Sequence, residues 1–264
     1  MRVSQLFIHP LKSAAGLSVD EIEIEARGPR FDRRWMLVDQ SGRFVSGREL
    51  GDLVRLGAEP RANGLRLHWS GEQMDVPLPG SQAARCEVSV WNDRVDAALA
   101  DQAAGDWLSQ RLNRSLRLVY MDDRTERSTS DRYPGGASAV SFADGFPLLL
   151  ISAAAVEAIN ARAGGGIDAR RFRPNIVIEG CPAHAEDGWR RLRIGEVELL
   201  NAKPCVRCVF TTVAADSGRR DPRGEPLRSL KDYRRSDQGI TFGVNLVALK
   251  PGRIALGDPL ELLD

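Results

Sequence analysis

The stretch GLRLHWSGEQMDVPL, residues 64–78, carries the pattern that decides the fold class. Apolar side chains alternate with polar ones on both sides of a Ser-Gly turn, at Leu65, Leu67, Trp69, Met74, Val76 and Leu78. A period of two places every second side chain on the same face of a β-strand. Because a glycine-containing turn joins the two alternating runs, the stretch predicts a β-hairpin.

Three further stretches repeat this pattern. RRWMLVDQSGRFVSGRE (residues 33–49) predicts two short strands around a turn, and RLRIGEVELL (191–200) predicts two strands around a glycine. GVNLVALKPGRIALGDPLEL (243–262) predicts two more strands, separated by a Pro-Gly pair. Since strand patterns outnumber helix patterns, we expect a mainly β chain with a few helices, of the α+β class.

Helix signals occur in three places. Ser152 is a suitable N-cap for the segment AAAVEAINARA, and the glycine tract at residues 164–166 is a suitable stop. Residues 101–112 and 225–234 are the other two candidates. These three segments account for the helices that we expect.

A polar stretch, DDRTERSTSDRYPGGASA at residues 122–139, separates two halves of the chain. Because it is poor in apolar residues it predicts a linker, although a mobile loop over a site would have the same composition. We therefore expect a β-rich domain over residues 1–120 and a second domain over residues 121–264, with the linker or loop at about 122–140.

Composition limits the classes of function. The 264 residues carry 37 Lys or Arg and 36 Asp or Glu, so no net charge recruits nucleic acid or an acidic membrane surface. The N-terminus lacks the pattern of a secretory signal, and no apolar run approaches a membrane span. We expect a cytoplasmic protein that binds neither nucleic acid nor membranes, with its four cysteines reduced.

The stretch NAKPCVRCVFTT (201–212) places Cys205 and Cys208 three positions apart. A structural zinc site needs four ligands, and the sequence offers no second pair at suitable spacing. A thioredoxin-like couple needs a helix after the pair, whereas VFTTV (209–213) reads as a strand. Two buried thiols remain possible, as does a metal site with one thiolate, whose other ligands belong to a cofactor.

The motifs, taken together, resemble a known family. KPCVRCVFTTV, EPLRSLKDYR and FGVNL, preceded by FRPNIVIEG and AEDGW, are similar to the MOSC domain of the amidoxime-reducing component and its bacterial YcbX-like relatives. IHPLKS and FDRRWMLVD are similar to the β-rich domain that precedes it. The resemblance covers nearly the whole chain and implies a β-rich N-terminal domain followed by a MOSC-type mixed β-barrel, with the site between them.

The resemblance also implies a molybdenum cofactor. Cys208 would be the molybdenum ligand and the catalytic residue, and Cys205 would have a packing or supporting role. If residues 206–210 are extended, the two side chains point to opposite faces, so that only one can face the metal. The implied cofactor-binding residues are Lys12, Ser13, Arg33, Asp144, Gly145, Arg173, Asn175, Arg207 and Asn245.

The implied function is the reduction of small N-hydroxylated compounds, N–OH to N–H plus water. No plant-type ferredoxin cysteine cluster follows the second domain, so we expect a separate electron-transfer protein of the ferredoxin, flavodoxin or cytochrome type. The alternative is a non-enzymatic carrier that delivers molybdenum cofactor or sulfur. Retention of the N-terminal domain, with Lys12, Ser13 and Arg33, favours the enzyme.

Overall fold

The computed structural model describes residues 1–263, so Asp264, the last residue of the predicted second domain, lies outside the described residues. The first strands are β1 (Arg2–Ile8), β2 (Leu17–Val19), β3 (Glu21–Glu25), β4 (Gly28–Pro29), β5 (Trp35–Val38), β6 (Gly57–Arg61), β7 (Gly64–Trp69), β8 (Glu72–Pro77), β9 (Arg85–Val90), β10 (Asp93–Leu99) and β11 (Arg117–Tyr120). The later strands are β12 (Leu148–Ser152), β13 (Ile176–Glu179), β14 (Arg191–Ile194), β15 (Val197–Val206), β16 (Arg235–Ser236), β17 (Gly239–Lys250), β18 (Gly252–Ala255) and β19 (Leu260–Leu262). The helices are α1 (Gln102–Leu112), α2 (Ala153–Ala163) and α3 (Leu227–Tyr233). Short 3₁₀ helices span Gly51–Arg55, Ala169–Phe172, Ala185–Gly188 and Val209–Thr212.

The largest sheet draws strands from both halves of the chain. Its order is β19-β14-β15-β17-β12-β13-β1-β2, with β16 paired to β17. Neighbouring strands are antiparallel except for β12 and β13, which run parallel. Three smaller sheets have the orders β5-β11-β10-β9, β18-β3-β4 and β6-β7-β8. The expectation of a mainly β chain with few helices is confirmed.

Most elements follow the sequence patterns. The hairpin at residues 64–78 is β7 and β8, and its inward side chains Leu65, Leu67 and Val76 are buried. All three candidate helices form, and α2 ends at Gly164 in the left-handed conformation that glycine favours. Residues 101–112 give α1, capped by the Asp101 side chain, which accepts a hydrogen bond from the Ala103 amide.

Three strand predictions need correction, and the one at residues 209–213 belongs to the site described below. The second half of the stretch 33–49 makes only two isolated bridges, Val38 to Phe44 and Arg43 to Ser89, because residues 44–48 leave the sheet to form a wall of a cleft. The C-terminal stretch gives three strands where two were predicted, since residues 256–259 turn the chain between β18 and β19. The predicted turns at residues 40–42 and at Pro251-Gly252 both form. The errors are a second strand that does not form in the first stretch and an additional turn in the second.

The polar segment 122–140 packs against the rest of the protein. Thr125, Arg127 and Thr129 are buried, and the Arg127 guanidinium donates hydrogen bonds to the carbonyls of Ser141 at 2.7 Å and Ala143 at 2.5 Å. The segment thereby fixes the chain just before β12. The position of the domain boundary stays a prediction.

Four clusters of buried apolar side chains form the core of residues 1–263, and two of them are the largest. One packs on the large sheet and includes Leu6, Leu150 and Ile254, and the other lies in the N-terminal half and includes Leu53 and Leu67. No helix within residues 1–263 combines the length and apolar character that crossing a membrane requires.

Candidate functional site

All ten predicted site residues line one cleft of about 400 Å³. These are Lys12, Ser13, Arg33, Asp144, Gly145, Arg173, Asn175, Arg207, Cys208 and Asn245. Lys12 and Ser13 follow β1, and Arg33 precedes β5. Asp144 and Gly145 precede β12, and Arg173 and Asn175 precede β13. Arg207 and Cys208 follow β15, and Asn245 lies within β17. The fold thus brings together residues that are up to 233 positions apart, since Lys12 and Asn245 share the cleft.

The cleft has a strong positive charge. Seven cationic side chains line it, namely Lys12, Arg33, Arg48, Arg171, Arg173, Lys203 and Arg207. Asp144 is the one carboxylate among the lining residues within 1–263. Because the whole chain is close to neutral, this excess of cations is local, and it favours an anionic ligand.

Lys12 is buried at one end of the cleft. Its ammonium donates hydrogen bonds to the Phe142 carbonyl at 2.6 Å and to Asp144 Oδ1 at 2.5 Å. Burial lowers the pKa of Lys12 to about 8, although Asp144 opposes the shift. Burial also opposes ionisation of Asp144, but Lys12 holds the pKa of this carboxyl below its ordinary value.

The lowered pKa of Lys12 predicts a pH-dependent affinity for anions. Lys12 is cationic below its pKa of about 8 and neutral above it, so the affinity of the cleft for an anion should fall as pH rises through about 8. Sulfate is a suitable probe because it stays doubly charged from pH 6 to about 10. Calorimetric titration should show the step in wild type, and Lys12→Met should remove it; a step that persists in the variant would contradict this assignment.

Arg33 is held by a buried carboxylate that sequence reasoning missed. Its guanidinium donates hydrogen bonds to Asp32, to Asn175 Oδ1 at 3.3 Å and to the Arg173 carbonyl at 3.2 Å. Asp32 is buried and also accepts a hydrogen bond from the His9 amide at 2.7 Å. The charge of Arg33 is therefore balanced inside the protein.

Asn175 is fully buried beneath Arg33, and its amide group is used within the fold. The Nδ2 group donates to the Phe7 carbonyl at 3.2 Å and to Asp32 Oδ1 at 3.1 Å. Its Oδ1 accepts from the Leu149 amide at 3.1 Å. Asn175 thus joins β1, β12 and the Arg33 turn, and direct binding of a cofactor by this residue stays a prediction.

Asn175→Ala should lower the free energy of unfolding by roughly 2 to 4 kcal/mol, because it leaves several buried polar groups unpaired. Asn245→Ala is the matched control, since the Asn245 side chain makes no hydrogen bond within residues 1–263 although it lines the same cleft. Urea unfolding of the two variants measures the difference. Equal stability of the two variants would contradict the bracing role of Asn175.

Two arginines present buried donors that the protein does not satisfy. Arg173 donates through Nη1 to the Ala14 carbonyl at 2.6 Å, while its Nη2 is buried without a partner in the described chain. Arg207 donates to the Phe172 carbonyl at 2.7 Å, while its Nε is likewise unpaired. Burial and the neighbouring Arg33 lower the pKa of Arg173. An oxyanion or another acceptor in the cleft would satisfy such donors.

The residues after Cys208 form a 3₁₀ helix, Val209–Thr212, and not the predicted strand. The reason is local: Thr211 Oγ1 donates to the Cys208 carbonyl at 2.9 Å and Thr212 Oγ1 donates to the Val209 carbonyl at 2.7 Å. These side-chain bonds stabilise a turn in residues whose β-branching favours strands. The argument from alternating faces is therefore wrong, and both cysteines line the cleft.

The surroundings of the two thiols nevertheless differ. Cys205 Sγ accepts a hydrogen bond from Arg207 Nη1 at 2.8 Å, and its side chain packs against an apolar cluster that contains Phe172 and Phe242. The Cys208 thiol has no hydrogen-bond partner within residues 1–263. Nowhere in residues 1–263 do three or more His, Cys, Asp or Glu side chains form a group that could hold a metal ion. A metal at Cys208 would need ligands from another molecule.

Sequence reasoning also missed several lining residues. They include Arg48, Trp91, Arg171, Lys203 and Phe210. Arg48, Trp91 and Arg171 lie outside the family motifs and gave no signal, because only the folded chain brings them to the cleft. Lys203 and Phe210 lie within KPCVRCVFTTV, but the motif assigned them no role.

Comparison with known proteins places the chain in a family. Residues 1–115 match the MOSC N-terminal beta barrel domain and residues 137–261 match the MOSC domain. The chain is 35% identical to mitochondrial amidoxime-reducing component 1 of Mus musculus and 33% identical to that of Homo sapiens, in each case over 99% of this chain and 82% of the relative. It is 29% identical to a molybdenum cofactor sulfurase of Oryza sativa subsp. japonica, over 93% of this chain and 32% of that protein. The chain therefore belongs to the family of MOSC proteins that carry the MOSC N-terminal domain and that include the amidoxime-reducing components.

Proposed function

We propose that the chain is a molybdenum-cofactor-dependent oxidoreductase that reduces small N-hydroxylated compounds, converting N–OH to N–H with release of water. A separate electron-transfer protein of the ferredoxin, flavodoxin or cytochrome type supplies the electrons. The observation that carries the proposal is the cationic cleft in which Cys208 lies beside unpaired buried donors. The names of the mouse and human relatives support the type of reaction.

The residues of the cleft fit a molybdenum cofactor. Such a group is an anion with a phosphate, two dithiolene sulfurs and a hydrogen-bonding pterin, so it needs a soft ligand, cations and polar partners. Cys208 offers a thiol with no hydrogen-bond partner in residues 1–263. Arg173 Nη2 and Arg207 Nε are buried donors that need an acceptor.

Different residues of the cleft would bind different parts of the cofactor. Cys208 would bind the metal, while Lys12, Ser13 and Arg33 at one end of the cleft would bind the phosphate. Arg173, Arg207, Asp144, Gly145 and Asn245 would position the pterin, and Asn175 would support Arg33 from below. When bound, the cofactor would supply the two-electron redox chemistry of the reaction.

The test is turnover by protein made in cells that synthesise the cofactor. An aryl amidoxime and a chemically reduced viologen dye are supplied without air, and the expected product is the amidine with one water per two electrons. Dye oxidation that depends on the amidoxime and yields amidine supports the proposal. Fully loaded protein that forms no amidine from any N-hydroxylated compound would contradict it.

A carrier function has one observation in its favour, the match to the molybdenum cofactor sulfurase of rice. A carrier would load the cofactor, show no turnover, and pass the cofactor or sulfur to an acceptor protein. The same loaded preparation distinguishes the two functions, because only the enzyme forms amidine.

A further inference from the structure

Arg48 differs from every other cation in the cleft. The side chains of Lys12, Arg33, Arg171, Arg173, Lys203 and Arg207 each donate a hydrogen bond to a protein group. The Arg48 guanidinium donates none within residues 1–263, and no carboxylate there pairs with it. It lies over the Trp91 ring instead, with its central carbon 4.1 Å from the ring centre.

Within residues 1–263, two other arginines lie over tryptophan rings, and both have acidic partners. Arg111 lies 4.1 Å from the Trp107 ring centre and pairs with Glu72. Arg55 lies 5.0 Å from the Trp69 ring centre and pairs with Asp52 at 3.3 Å. Neither lines the cleft. The other two arginines that lie over a tryptophan ring therefore each pair with a carboxylate, whereas Arg48 pairs with none in residues 1–263.

The Arg48 stack is held in place from several sides. Trp91 has a φ of +57° at the turn between β9 and β10, a conformation that costs a bulky residue about 1 to 2 kcal/mol. Its indole Nε1 donates to Asp144 Oδ1 at 3.1 Å, and the Phe44 ring meets it edge-on at 5.5 Å. Residues that hold a strained tryptophan in this way present a rigid surface to Arg48.

The backbone of Arg48 is fixed as well. Its amide donates to Ser46 Oγ at 3.1 Å, and its carbonyl accepts a hydrogen bond from Arg220. A planar guanidinium stacked on a ring keeps its in-plane N–H groups available for a bidentate contact. The N–H groups of the Arg48 guanidinium are therefore held in position, and no acceptor within residues 1–263 binds them.

The charges around Arg48 point to an anion. Lys12 and Arg33, at the same end of the cleft, are paired with Asp144 and Asp32. Lys12 Nζ also lies 5.8 Å from the Trp91 ring centre, so a second cation faces the same indole. Arg48 is the charge in this group that the described residues leave unbalanced.

We propose that Arg48, stacked on Trp91, is an oxyanion subsite of the cleft that takes a phosphate or carboxylate group. The two possible sources share this chemistry: the phosphate of the cofactor, and an acidic substituent on the substrate. Only the choice of source rests on the proposed function. The subsite itself rests on the geometry of Arg48.

The test is calorimetric titration of cofactor-free full-length protein with inorganic phosphate. Arg48→Gln should weaken binding roughly ten- to a hundredfold, the value of one charge-assisted contact. Arg111→Gln, which removes a stacked arginine outside the cleft, should leave the affinity unchanged. Arg48→Lys should give an intermediate affinity, because lysine keeps the charge but loses the planar fork. Equal affinities for wild type and Arg48→Gln would overturn the proposal, and thermal melts of all variants show whether they are folded.

The same titration of cofactor-loaded protein distinguishes the sources. If the cofactor phosphate fills the subsite, loaded wild type no longer binds added phosphate, and Arg48→Gln retains less pterin. If the subsite serves an acidic substrate, loaded wild type still binds phosphate and Arg48→Gln does not. A chain that never loads the cofactor would contradict the proposed function, while the cofactor-free comparison would still decide the role of Arg48.

Discussion

Cys208→Ser should abolish turnover, with a fall of at least about a thousandfold, which corresponds to roughly 4 kcal/mol of lost transition-state stabilisation. The reason is the chemistry of the ligand, since a serine hydroxyl is a hard and weakly acidic group that replaces poorly a soft thiolate. Cys208 follows β15, directly before the 3₁₀ helix Val209–Thr212, and its thiol has no hydrogen-bond partner in residues 1–263. The rate of amidine formation per protein measures the effect.

Cys205→Ser is the matched control, because it changes the other thiol of the same cleft. The Cys205 sulfur accepts a hydrogen bond from Arg207 and packs against apolar side chains, and a serine there can still accept that bond. We expect this variant to keep most of its activity. Loss of activity in Cys205→Ser with retention in Cys208→Ser would reverse the assignment.

Gly243→Ala should be among the most destabilising single changes in the protein, at roughly 3 to 5 kcal/mol. Gly243 lies within β17 with a φ of +71°, and an added Cβ would come 2.5 Å from a side-chain carbon of Ile151 and 2.6 Å from the Leu150 carbonyl oxygen. The backbone of β12 cannot move aside, because β12 lies between β13 and β17 in the large sheet. Guanidinium unfolding of the purified variant measures the loss.

Gly165→Ala separates steric overlap from backbone strain. Gly165 has a φ of +89°, but an added Cβ would meet nothing within 4 Å. This control should cost only about 1 to 2 kcal/mol, the usual penalty for a left-handed alanine. If both variants lose the same stability, close packing at Gly243 is not what requires glycine in the FGVNL motif.

The elements that the sequence predicted well depend on local information. Alternation with period two produced the β7–β8 hairpin, and the glycine after Ala163 gave the end of α2. The turn at Val209–Thr212 was missed because its threonines resemble strand residues, while their hydroxyls bond to nearby carbonyls. Propensity alone could not distinguish the two outcomes.

The site was predicted in part, for a similar reason. The ten motif residues could be named because the family resemblance carried them, and they do share a cleft. Asp32 is the sequence neighbour of Arg33, but its burial and its bond from the His9 amide arise only in the folded protein. The contact of Arg48 with Trp91 likewise joins residues that are far apart in the sequence. The surroundings of a charged side chain depend on which segments of the chain meet in the folded protein, and the sequence does not show this.

The central claim is that Cys208 and the cations around it hold a molybdenum cofactor. Its most direct test measures molybdenum and pterin together, by elemental analysis and by fluorescence of the oxidised pterin, in protein purified from cells that make the cofactor. We predict close to one molybdenum and one pterin per wild-type chain, with molybdenum lost from Cys208→Ser. Fully folded wild-type protein that contains neither molybdenum nor pterin, from cells in which another molybdenum enzyme is loaded, would contradict the account.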